Sequence, residues 1–136
     1  MSRHTRILIV DDDERVLFVM RGALMRLGAS YEVVTVRRGG EALEEFRKGP
    51  FDLVITDLKM SDMDGIELTK AIRALDSAAV VVWITAYGCQ GVRAAARELS
   101  VYCCRDKPLE IADIRQIVLE ALESAGSHSE ELEKQE

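Results

Sequence analysis

Apolar residues fall along the chain in two alternating kinds of run. Short stretches rich in β-branched residues, RILIV (6–10), YEVVTV (31–36), FDLVITD (51–57), AVVVWITA (79–86) and VYCC (101–104), run on rather than alternate in and out. Strands buried on both faces of a sheet read this way. Between them, apolar residues recur three and four apart: Leu17, Met20, Leu24 and Leu27 within 14–27, and Ala42, Leu43 and Phe46 within 39–49. The same spacing holds for Ile66, Leu68, Ile72 and Leu75 within 64–75, and for Ile111, Ile114, Ile117, Val118, Ala121 and Leu122 within 110–124. It predicts helices with one apolar stripe turned to a core. Gly28 is a natural stop for the first of them, and an Ala-rich, weaker helix is expected over 90–99. Five strands alternating with five helices predict an α/β fold, a parallel sheet covered on both faces. Trp83, inside the most apolar strand, reads as a core residue.

At 136 residues the chain is the size of one domain. Its last eleven residues, GSHSEELEKQE, are polar and acidic with only Leu132 to bury. The expected division is therefore a domain over 1–125 and a polar tail, or the start of a linker, over 126–136. A formal net charge of -6 and a pI near 5.0 argue against direct nucleic-acid binding, for which Arg37-Arg38 is too short a basic run. No apolar run reaches membrane-spanning length and no signal-peptide pattern precedes the first strand, so no membrane association and a cytoplasmic location are expected. Cysteines stand at 89, 103 and 104, an odd number without C-x-x-C spacing. That suits thiols in a reduced compartment rather than a disulfide scaffold. Cys103 and Cys104, adjacent on a strand, face opposite ways and cannot readily share a metal, so they read as small buried apolar residues.

Chemistry gathers at the strand ends. Ligands of open parallel sheets bind outside the carboxyl ends of the strands. Here those ends carry Asp11, Asp12 and Asp13, then Asp57, then Thr85, and beyond the last strand Lys107. Taken singly, such residues are explained by turns and helix caps, and Asp13 or Glu14 suits the cap of the first helix. Taken together, several carboxylates at one rim repel one another until a cation relieves them. A small hard cation with oxygen ligands, Mg²⁺, is the economical choice. With Lys107 and Mg²⁺ supplying positive charge, Thr85 a hydroxyl donor and Asp57 a carboxylate nucleophile, the set suits phosphoryl transfer.

Four segments, ILIVDDDE, FDLVITDLKMSDMDGIEL, WITAYG and DKPLE, occur in order between about Arg6 and Ser124. In this the chain resembles the receiver domain of two-component response regulators. The resemblance implies a flavodoxin-like, three-layer αβα architecture with strand order 2-1-3-4-5. It also implies roles: Asp57 as phospho-acceptor, Thr85 as switch hydroxyl, and Lys107 as the lysine that contacts the phosphoryl group. Asp11, Asp12, Asp57 and the backbone carbonyl of Lys59 would hold Mg²⁺. A cis peptide before Pro108 is expected. The implied partners are a histidine kinase or phosphotransfer protein, and a second copy in a phosphorylation-dependent homodimer through the last helices. On this reading the chain is a signalling switch, not an enzyme beyond its own phosphorylation and dephosphorylation. A phosphorylation-independent docking module, or an aspartate-nucleophile phosphatase, is the alternative. Two positions depart from the family pattern. Ser61 replaces the usual proline, which predicts a less constrained loop after Asp57, and Cys104 stands where an aromatic switch residue is usual. Lys59 and Tyr87, each two residues beyond a site residue, are expected to flank the phosphoryl group and set its hydrolysis rate.

Overall fold

The computed structural model describes residues 5–28, 30–86 and 88–135, with side chains as far as Ser124. The elements are β1 (Thr5–Val10), α1 (Glu14–Met25), β2 (Tyr31–Val36), α2 (Gly39–Lys48), β3 (Leu53–Thr56), α3 (Gly65–Leu75) and β4 (Val80–Thr85). A 3-10 turn (Cys89–Val92) then leads into α4 (Arg93–Glu98), β5 (Cys103–Asp106) and α5 (Ile111–Gln135). The strands form one parallel sheet in the order β2-β1-β3-β4-β5. Fold class and strand order are those expected from the sequence.

Strand alternation divides the core in two. Ile7 and Ile9 of β1, Leu53 and Ile55 of β3, and Val82 and Ile84 of β4 meet Leu17, Met20 and Leu24 of α1 and Ile114, Ile117 and Val118 of α5. On the other face Leu8, Val10, Val54, Val81 and Trp83 meet Ala42 and Phe46 of α2 and Leu68 and Ile72 of α3. Each fully buried aliphatic or aromatic side chain contributes roughly 1.5–3 kcal/mol relative to exposure, so the central strands anchor the molecule. Trp83 has no exposed surface, and its Nε1 donates to Thr69 Oγ1 at 2.9 Å while that hydroxyl donates to the Gly65 carbonyl at 2.7 Å. The indole thus fills the core without leaving a buried donor unpaired.

Helix starts are set by short acids. Asp13 caps α1 by accepting from Arg15 N at 2.9 Å, and Asp64 caps α3 by accepting from Glu67 N at 2.8 Å. Neither Leu75 nor Ile111 belongs to the apolar stripe expected of it; both are about half exposed, at the two ends of their helices.

Three further expectations are corrected. β5 begins two residues later than the apolar run VYCC suggests and ends in the polar pair Arg105-Asp106. It is the edge strand, and pairing with β4 (Val82↔Cys103 to Thr85↔Asp106) sets its position where hydrophobicity does not. The fourth helix is shorter than expected, six α-helical residues after the 3-10 turn, none of them buried. α5 extends as backbone helix through Gln135, beyond the point where the sequence reads as a tail.

The cysteines depart most. Cys103 and Cys104 do face opposite sides, Cys103 against the α1/α5 core and Cys104 against the α2/α3 core. Only Cys103 is a free thiol, however, and it is half-buried. Cys104 is disulfide-bonded to Cys89, with a Cα–Cα separation of 5.7 Å, which lies well within bridging distance. The reading of Cys104 as an inert apolar filler is therefore wrong. Strand β5 puts it beside the 3-10 turn, a proximity across the fold that residue spacing does not reveal.

Candidate functional site

β1 and β3 lie side by side at the centre of the sheet, with Val10 paired to Thr56. The residues that follow them, Asp11 and Asp57, therefore emerge together. Asp57 N donates to the Val10 carbonyl at 3.0 Å, and Asp11 N to the Val36 carbonyl at 3.2 Å, so both backbones are still held by the sheet. Lys107 arrives from the edge strand. Its backbone N–H donates to the Thr85 carbonyl at 2.8 Å, and the Lys107-Pro108 peptide is cis, as expected.

The side chains converge on Lys107. Its Nζ lies 2.6 Å from Asp11 Oδ2 and 3.0 Å from Asp57 Oδ2. The remaining carboxylate oxygens are anchored by backbone donors: Asp11 Oδ1 accepts from Asp13 N at 2.9 Å, and Asp57 Oδ1 from Leu58 N at 2.7 Å. Asp11 and Asp57 are buried and Asp12 is exposed. Burial raises the Asp11 carboxyl above the usual aspartate range, more than the Lys107 hydrogen bond lowers it. Burial acts on Lys107 in the opposite sense, but hydrogen bonds and charge from Asp11 and Asp57 outweigh it and push the ammonium upward. Two carboxylates thus share one cation.

Asp11, Asp12 and Asp57 each offer an oxygen within 4.8 Å of the others. Three hard oxygens at that spacing fit a small divalent ion better than a soft or redox metal. They line, with Lys59, Ser61, Ala86 and Lys107, an open cleft of about 450 Å³. Thr85 is not brought into that cleft. Its side chain is fully buried at the end of β4, and the next residue, Ala86, reaches the lining instead. Tyr87 lies outside the described residues.

Several supporting residues escape a reading by motif. Arg37 donates through Nη1 to Glu14 Oε1 at 3.0 Å and through Nη2 to the Asp12 carbonyl at 3.4 Å, steadying the acidic loop. Asp62 accepts from Gly39 N at 3.0 Å and Gly40 N at 2.9 Å, capping α2 from the loop after Asp57. Gly65 donates its N–H to the Leu58 carbonyl at 2.8 Å, and a Cβ there would collide with the Asp57 carbonyl oxygen. The Gly-Gly pair opening α2 and the Asp-Gly pair opening α3 are the sequence signals that could have found these contacts.

The model of the response regulator receiver domain family matches residues 7–119. The chain is 37% identical over 123 residues to the transcriptional regulatory protein ZraR of Escherichia coli strain K12, which covers 90% of this chain but 27% of that protein. It is 33% identical over 113 residues to sporulation initiation phosphotransferase F of Bacillus subtilis strain 168, covering 83% of this chain and 90% of that one. It therefore spans only about a quarter of the first relative and nearly the whole of the second. Among solved structures, a CheY-like receiver domain protein from Methanospirillum hungatei JF-1 superposes with a TM-score of 0.86 at 27% identity, covering 92% of this chain and 98% of that one.

Proposed function

The chain belongs to the response regulator receiver family, and from that premise we propose that its switch is thrown by transfer of a phosphoryl group to Asp57. The observation that carries the assignment is the Lys107 ammonium held between Asp11 Oδ2 and Asp57 Oδ2 at the mouth of the cleft. A fixed positive charge beside the Asp57 carboxylate supports its use as the nucleophile, since phosphoryl transfer needs such a charge from a protein.

Leu58 N–H holds Asp57 Oδ1 and so sets the plane of the carboxylate, leaving Oδ2 as the attacking oxygen. Attack on the phosphorus of a partner's phosphohistidine forms the Asp57 O–P bond and breaks the P–N bond, and the imidazole departs and takes up a proton. Lys107 turns from the carboxylates to a phosphoryl oxygen as charge moves there. Thr85, buried in the unphosphorylated protein, donates its hydroxyl to another phosphoryl oxygen once the chain after β4 has shifted. Asp11, Asp12, Asp57 and the Lys59 carbonyl would hold Mg²⁺, which would supply further positive charge to offset that of the phosphoryl group. Lys59, which lines the cleft, and Tyr87 govern access of the water that later hydrolyses the acyl phosphate.

Family membership implies a histidine kinase as donor, directly or through a phosphotransfer protein, and we place the encounter in the cytoplasm. Among the described residues no helix is long and apolar enough to cross a membrane. Phosphorylation favours a homodimer through the last helices. The test is incubation with acetyl phosphate and Mg²⁺: wild-type protein gains an acid-stable, base-labile phosphate, and Asp57→Asn and EDTA-treated protein do not. Equal labelling of Asp57→Asn would move the acceptor elsewhere, and no labelling of any form would leave a docking module.

A further inference from the structure

The Cys89–Cys104 bond joins the edge strand β5 to the 3-10 turn that follows Thr85. Cys104 is on β5, paired to Trp83 of β4, with its side chain on the α2/α3 face. Trp83 and Thr85 share that face by strand alternation, since Ile84 between them faces the other core. Cys89 is the first residue of the 3-10 turn, four residues beyond Thr85. Together with the Thr85↔Asp106 pair, the disulfide closes the segment between β4 and the turn into a small ring fastened to β5 at both ends. Thr85 is fully buried and does not line the cleft. Bringing its hydroxyl to a phosphoryl group on Asp57 requires that segment to move, and the sulfur bond holds its far end.

Two further features make the bond a chemical site and not merely a strut. It is reachable: Cys89 and Cys104 are both half-buried and line an open cavity of about 470 Å³ with Gln90, Arg93, Arg97 and Asp106. Arg93 and Arg97 outnumber the single carboxylate of Asp106 in the cavity lining, which favours the approach of anionic small thiols. Without the sulfur bond a single exposed hydrogen bond, from Cys89 N to Asp106 Oδ1 at 2.9 Å, still links the turn to β5, and it can break and re-form as the segment moves. The released thiols therefore stay close enough to re-form the bond.

We propose that Cys89 and Cys104 are a reversible thiol–disulfide site whose oxidised form restrains the segment after Thr85 and weakens the response of Asp57 to phosphorylation. The co-reactant is a low-molecular-weight thiol. One thiolate attacks a sulfur of the bond, giving a mixed disulfide and one protein thiolate. A second thiolate attacks the mixed disulfide, releasing the small-molecule disulfide and the other protein thiolate, so that two electrons pass to the protein. Oxidation reverses both steps. The proposal rests on the assignment of Asp57 as phospho-acceptor and adds the control of that site.

The test uses the full chain in two forms, oxidised and dithiothreitol-reduced, distinguished by the number of thiols that alkylate in denaturant: one against three. Each is titrated with beryllofluoride in the presence of Mg²⁺, as a stable mimic of the phosphoryl group. Reduction is expected to tighten binding about tenfold, within the usual 5- to 150-fold range of coupled sites. Coupling is reciprocal, so saturating beryllofluoride should shift the glutathione ratio at half-reduction by about the same factor. Cys89→Ser and Cys104→Ser should each bind as the reduced wild type does, whatever the redox buffer. Affinities agreeing within twofold between the oxidised and reduced wild type would overturn the redox control alone. So would three alkylating thiols in oxidising buffer. Failure of both forms to bind beryllofluoride would overturn the Asp57 assignment and the control with it.

Discussion

Asp11 is stabilising or costly depending on what stands beside it. Its carboxylate is buried and shares Lys107 with Asp57, and burial raises its pKa above the ordinary value of 3.8. A carboxyl whose pKa is raised on folding supports the fold below its unfolded pKa and ceases to do so as pH rises through the folded value. At neutral pH without a divalent cation, ionised Asp11 therefore weighs against the folded state. Asp11→Asn is expected to raise the Tm of the metal-free protein at pH 7, by roughly 3 to 5 °C for each kcal/mol recovered in a domain of this size. The gain should shrink as pH falls toward 4, and the variant should lose affinity for Mg²⁺. Thermal melts across that pH range check it, and a lower Tm at pH 7 would show that the Lys107 ion pair outweighs desolvation. At this scale the acids and the lysine were legible only as a set, because a single carboxylate after an apolar strand reads as a turn or a cap, whereas several at one sheet edge with a lysine do not. Asp62 and the Cys89–Cys104 bond were not, because each acts on a residue far away in sequence.

The loop between β3 and α3 shows how an element is held when the expected restraint is missing. Ser61 stands where the family usually has proline, and a looser loop was expected. The structure ties the loop down at the next residue, where Asp62 accepts from Gly39 N and Gly40 N at the start of α2, a helix with no side-chain cap of its own. These backbone donors hold the Asp62 carboxyl below the usual aspartate range, that of Gly40 most strongly. A pKa lowered on folding gives stability that is present above the unfolded value and lost as pH falls through the folded one. Asp62→Ala is expected to cost about 1 kcal/mol, the usual effect of losing a cap, and to flatten the acid limb of stability below about pH 4. Because the same loop carries Lys59, the variant should also bind Mg²⁺ more weakly. Unfolding melts at pH 7 and pH 3 check the first point, and a cost that does not shrink at pH 3 would place the role of Asp62 outside its charge. Other elements divide along the same line. β1 to β4 were legible because buried strands must be apolar. β5 was displaced by two residues because an edge strand takes its position from its neighbour.

Across the whole molecule, topology assembles the site. A sheet in the order β2-β1-β3-β4-β5 sets β1 and β3 at its centre, so the acids that follow them meet at one rim, and α5 must be reached from β5 past Lys107. Any parallel sheet would set these strand ends along one edge, but it is the order, expected from the resemblance, that makes β1 and β3 neighbours and brings Asp11 and Asp57 together. That convergence leaves a chain of net charge -6 with three carboxylates inside 4.8 Å, two of them buried. Mg²⁺ should therefore stabilise the fold, by about 2.7 kcal/mol at a hundred times its dissociation constant. Two explanations of such a shift are separable. Screening of net charge responds to ionic strength, whereas a site responds to the ion. Melts in MgCl₂ and in NaCl of equal ionic strength should differ, with Tm rising with the logarithm of Mg²⁺ concentration above its dissociation constant and nearly flat in Na⁺. Asp12→Ala, which removes an exposed acid and leaves the Lys107 ion pairs untouched, should abolish the difference. Equal shifts in the two salts would mean that the acidic rim is only a region of crowded charge and holds no metal.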